Sequence, residues 1–158
     1  MEISLDKGII DFERFMSHLP LDSTDRVLVV LKGHLLVEEI LREYVSAHVK
    51  HPKRLNDARF SFHHCLCLAR AFSNDDSNEK LWDSIEKLNN LRNKLAHSLE
   101  PKDVDTKIKV FVELLSNSDP SLVYADDGKS FGVLSTCIFA IYLSLSHALR
   151  NREEYNAL

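Results

Sequence analysis

Apolar residues recur along this chain at helical spacing, and polar breaks mark where one run gives way to the next. Ile9, Phe12, Phe15, Met16 and Leu19 form the first run, which Pro20 ends. Asp22 or Ser23 can cap a second helix over about residues 23–49, with Asp25 and Arg26 in its first turn and Pro52 beyond its end. At about 100° per residue from Val27, Lys32, Glu39, Glu43 and Lys50 share one polar wedge. Val30, Leu31, Val37, Leu41, Tyr44 and Val45 lie opposite. His34 and Glu38 sit within that apolar side, one turn apart, with Arg42 at its margin.

A third helix is predicted from about Asn56 to Phe72, burying Phe62, Cys65, Leu68, Ala69 and Phe72. Arg59, His63 and Arg70 gather on its outer face. The polar turn at 74–78 leads into a fourth helix that Ser77 can cap and Pro101 closes. Its Leu81, Ile85, Leu88, Leu91, Leu95 and Leu99 share one face, and Arg92 falls about 20° from Leu81, inside that face. Asn89, Asn90, Asn93 and His97 take the other side. Asp103 or Asp105 starts a fifth helix through Ile108, Phe111, Val112 and Leu115. Ser116 to Ser130 reads as a loop, with only a weak strand signal at Leu122, Val123 and Tyr124. The last helix, about Phe131 to Arg150, is apolar nearly all round: Val133, Leu134, Ile138, Phe139, Ile141, Leu143, Leu145. It reaches the lower edge of membrane-span length. A central core helix, or one half-covered by a second subunit, explains it better. The pattern predicts an all-α, five- to six-helix up-and-down bundle, one domain over 1–158 with a core at about 23–115.

Composition narrows the picture. Hydrophobic residues are 44% and charged residues 28%, as in a folded globular chain. Four Gly and four Pro leave few breaks, which favours long helices. A net charge of −4 excludes a global basic field, so any nucleic-acid role needs a local patch. Three Cys without CxxC spacing argue against a disulfide framework or a zinc site. The acids within Met1–Asp6 do not suit a signal peptide, and a cytoplasmic protein is expected.

The candidate chemistry centres on Arg92 and His97. A guanidinium keeps its proton, so Arg92 on an apolar face needs a partner or a purpose. Glu38 is the natural partner, with His34 beside it, since both helices turn these faces inward. The plain reading is that this pair is structural and that His97 stabilises a helix C-terminus. The functional reading is phosphate chemistry, with His97 moving a proton and Arg92 stabilising charge. On one ideal helix the two side chains diverge by about 140°, so they do not form a ready pair within one chain. Two copies meeting across a symmetry axis could pool them. Lys53 and Arg54 of the basic 50–54 segment, with Arg59 and Arg70, are candidate RNA-phosphate contacts, against the plainer reading of solvated charge. His63 and Cys67 stand one turn apart without a second ligand pair, so no metal site is predicted. No glycine-rich phosphate loop is present, and no cofactor is expected.

Arg92-Asn93-Lys94-Leu95-Ala96-His97 resembles the Arg-polar-x-x-x-His pattern of HEPN-domain proteins. The order of helices is also similar to the mannitol repressor family, an HEPN-like helical group. The resemblance covers roughly Arg26 to Glu100. It implies an HEPN-like bundle acting as a homodimer. In many HEPN proteins the activity is a metal-independent ribonuclease of the toxin or defence kind, with RNA as substrate. Arg92 and His97 would then be catalytic and Asn93 supporting, and an antitoxin or regulatory protein would be the partner. One toxin group has a Tyr two residues beyond the His; here that position is Leu99. The mannitol repressor-like resemblance implies instead a non-enzymatic regulator acting by protein contact.

Overall fold

The structure is a computed structural model, and it describes residues 2–19, 25–73, 79–97, 102–116 and 133–156. These residues form seven helices and, among them, no strand: α1 (Glu2–His18), α2 (Arg26–Ala47), α3 (Lys53–Asp57), α4 (Phe62–Phe72), α5 (Glu79–Ala96), α6 (Val104–Ser116) and α7 (Val133–Asn156). The all-α expectation holds. The polar-turn, Ser77-cap and 122–124 strand readings fall outside the described residues.

The helix count exceeds the predicted five or six because the third predicted helix is two. The chain breaks after α3, where Arg59 takes a left-handed backbone conformation at φ 47°. Few non-glycine residues adopt it, and it cannot continue a right-handed helix. Ser61 then starts α4 with a capping box: its Oγ accepts from the His64 backbone N–H at 3.3 Å, and His64 Nδ1 accepts from the Ser61 backbone N–H at 3.3 Å. Arg59 therefore stands in a turn rather than on a helix face with His63 and Arg70. Asp25, which the sequence reading put in the first turn of α2, is its N-cap; Oδ1 accepts from the backbone N–H of Val27 and Leu28.

α2 and α7 form the most extensive helix pair. Gly33 of α2 is buried against Ile138 of α7: a Cβ there would meet Ile138 Cδ1 and Cγ2 at 2.8 Å. α7 also packs on α1, α5 and α6, so Ile138, Ile141 and Leu145 are fully buried within one chain. This is the central-core reading of that apolar helix. Its Val133–Arg152 stretch is long and apolar enough to cross a membrane, yet half of it is buried in the fold. α1 is covered on one side only. Phe15 packs against Phe139 and Tyr142 with ring centres 4.8 and 5.4 Å away, while Ile9, Ile10 and Phe12 are largely exposed.

α5 packs on α2, α4, α6 and α7. Ile85, Leu88, Leu91 and Leu95 are buried as the wheel predicts, joined by Trp82 and Ser84. This arrangement turns the Asn89–Arg92–Asn93 flank of α5 toward α2 and the start of α4.

Candidate active site

A polar cleft of about 380 Å³ lies where α2, α4 and α5 meet. Its walls are His34, Glu38 and Arg42 from α2, Ser61, Phe62 and His63 from the start of α4, and Asn89, Arg92 and Asn93 from α5. Arg92 is half-buried, and its Nη1 donates to Asn93 Oδ1 at 3.0 Å. The side chain next along the helix thus fixes the orientation of the guanidinium.

Arg92 shares this cleft with His34 and Glu38, as their faces predict. The predicted Arg92–Glu38 ion pair is not among those of the described residues. Glu38 Oε1 instead accepts from Arg42 Nη2 at 2.6 Å and Nε at 3.1 Å. The reason is local: Glu38 and Arg42 are one turn apart on one helix, the spacing that brings opposite charges together without any tertiary contact. The Glu38 carboxylate also holds the Arg42 pKa above its ordinary value. Removing Glu38 would free Arg42 rather than strand Arg92.

His34 is the buried polar centre of the cleft, with 2% of its surface exposed. Its Nε2 lies 3.1 Å from Asn89 Oδ1, and an amide oxygen can only accept, so Nε2 donates. The ring lies 4.5 Å from that of Phe62. Nδ1 has no hydrogen-bond partner; Glu38 Oε2 is 3.8 Å away. Burial pushes the His34 pKa below its ordinary value, and the Arg92 charge adds to this against the Asn89 bond and Glu38. A histidine held neutral in the fold binds its proton more readily when unfolded, so protonation favours unfolding. Its contribution is complete above the unfolded value of 6.5 and is lost as pH falls from there toward the depressed folded value. We expect urea midpoints to fall between about pH 7 and pH 5, with a shallower fall in His34→Gln. Equal slopes in the two proteins would remove His34 as the cause.

His97 does not line the cleft. It follows the last residue of α5, exposed, with its backbone N–H on the Asn93 carbonyl at 3.2 Å. Of the two motif residues, Arg92 alone lines this cleft. The candidate RNA contacts separate. Lys53 and Arg54 are exposed on α3, and Arg59 is exposed in the turn after it. Arg70 pairs with Glu79 of α5 and lies 3.9 Å from Asp83. His63 Nε2 lies 3.5 Å from Cys67 Sγ on an exposed face. Among the described residues no three His, Cys, Asp or Glu side chains gather as a metal site.

Beyond the expected site residues, the cleft takes in Arg42, Ser61, Phe62, His63 and Asn89. Asn89 carried a signal, since it lies one turn before Arg92 on the flank that also bears Asn93. Comparison with known protein families, with curated proteins and with solved structures finds no match.

Proposed function

We propose that this chain is an HEPN-like, metal-independent endoribonuclease of the toxin or defence kind, working in the cytoplasm as a homodimer. The observation that supports the reading best is the setting of Arg92: half-buried, oriented by Asn93, and open to a polar cleft with a second guanidinium and two imidazoles. A guanidinium held in place before the substrate arrives can stabilise a pentacovalent phosphorane without reorganising. The reaction is transesterification. The ribose 2′-oxygen attacks phosphorus, the 5′-oxygen leaves, and the product is a 2′,3′-cyclic phosphate. His97 takes the 2′-hydroxyl proton or supplies one to the leaving oxygen, and water carries the other proton.

His97 lies outside the cleft that holds Arg92, so this reading needs the His97 of a second copy. Mixing tests it. Arg92→Gln and His97→Ala are each expected to be inactive, but mixed dimers keep one intact Arg–His set. An equal mixture, after subunit exchange, should recover about a quarter of wild-type cleavage by a symmetric dimer. No recovery, with exchange shown by mass, would place Arg92 and His97 in the same protomer's reaction or in none.

The regulator reading retains one observation in its favour. Ile9, Ile10 and Phe12 expose apolar surface on α1, a face suited to an antitoxin or another protein partner. Wild-type protein that cuts none of several RNAs would put that reading first.

A further inference from the structure

Arg42 lines the Arg92 cleft and also a second cavity of about 410 Å³, walled further by Leu55, Arg59, Phe60 and Cys65. Arg42 makes four hydrogen bonds. Nε and Nη2 donate to Glu38, Nη2 also to the Phe60 carbonyl at 3.0 Å, and Nη1 to Cys65 Sγ at 3.5 Å. A guanidinium has five N–H groups, all in its plane. With that edge engaged, Arg42 has little left to clamp a phosphate. Yet 43% of its side chain is exposed, and Arg42 lines the cavity. Phe60, half-buried, adds an aromatic wall beside it. Arg59, exposed and set by its left-handed backbone at the same cavity, adds a positive charge.

We propose that this second cavity binds one unstacked nucleobase of single-stranded RNA. The base stacks on Phe60 and the Arg42 plane, and Arg59 meets the adjoining phosphate. A flat π-surface next to one free cation suits a nucleotide better than a bare anion, which would need the N–H donors that Arg42 has already used. The volume lies within the range of small-ligand sites. A base in a duplex keeps its stacking partners and cannot enter, so the site selects single strands. The inference rests on reading the adjoining Arg92 cleft as a place where RNA is handled.

The test is binding, kept separate from cutting. A fluorescent single-stranded 2′-O-methyl oligonucleotide is the probe in EDTA; it lacks the hydroxyl needed for cleavage. Phe60→Leu keeps an apolar side chain against the core and should weaken binding by about 5- to 100-fold, the span covered by the loss of one base stack. Its salt dependence should stay unchanged. Arg59→Gln, at an exposed position, should also weaken binding and lower the slope of log affinity against log salt by about 0.7. The same strand in a duplex should bind far more weakly. The proposal is overturned if the single strand does not bind, if neither variant alters binding, or if the duplex binds equally well. Cleavage of the unmodified strand is scored apart. The predicted binding pattern without cutting leaves the base site standing and removes the nuclease reading. Cutting with binding untouched by both variants does the reverse.

Discussion

His97→Ala is expected to slow cleavage of single-stranded RNA in EDTA by about 10²–10⁴-fold, the range that one general acid or base supplies. The change is well placed for a clean reading. His97 is exposed at the end of α5 and outside the cleft, so its loss opens no core and strands no buried charge. Circular dichroism and melting should match wild type. Arg92→Ala is the poorer test, because Arg92 is half-buried and bonded to Asn93. A second imidazole sharpens the comparison. His34 lies in the cleft beside Arg92, where a proton carrier could act without a partner chain. If His97→Ala cuts as fast as wild type while His34→Gln is inactive, the proton is moved at His34 and the dimer argument falls. Equal cutting by all three would point to a contaminating nuclease.

The helical faces were legible in the sequence where neighbours cover a whole stripe. On α2, Lys32, Glu39 and Glu43 are exposed and Val30, Val37, Leu41, Tyr44 and Val45 are buried, as the wheel places them, while Leu31 of the same apolar side is only half-buried and Lys50 is exposed beyond the helix's end. Periodicity does not say how much of a stripe its neighbours reach. Ile9 and Phe12 belong to the same apolar run as Phe15 and Leu19, yet only the latter two are fully buried. The break at 58–61 was hidden for a different reason. Its marks are a left-handed arginine and a capping box closed by His64, where pattern reading looks for glycine and for Glu or Gln.

Within the candidate site, the wheels brought Arg92, Glu38 and His34 together correctly but chose the wrong pairing. Two inward faces fix which residues meet; they do not rank a tertiary pair against a local one. Arg42, one turn from Glu38, wins because its helix holds it there in any packing. The separation of His97 from Arg92 was legible, since it follows from the turn of one helix alone.

The α2–α7 contact that backs the cleft carries the largest expected effect on stability. Ile138→Ala should cost about 2–5 kcal/mol, the usual range for emptying a fully buried aliphatic site. Gly33, one residue before His34, makes the contact testable from the other side. A methyl group there would stand 2.8 Å from both Cδ1 and Cγ2 of Ile138. Cδ1 could turn away, but Cγ2 is fixed by the single χ1 rotamer that a helix leaves to a β-branched residue. Overpacking of this kind costs about 1–3 kcal/mol, and Gly→Ala in a helix returns about 1 kcal/mol. Gly33→Ala alone should therefore destabilise by at most about 2 kcal/mol. In the Ile138→Ala background the sign should reverse. The clashing carbons are gone, the new methyl fills part of the space they left, and the helix propensity gain remains. Gly33→Ala/Ile138→Ala should then be more stable than Ile138→Ala by about 1–2 kcal/mol, a coupling typical of residues in direct contact. Urea unfolding of the four proteins measures the cycle. Additive effects would mean that the two side chains do not meet, and that α2 does not sit against α7 in the register that places His34 and Glu38 at the cleft.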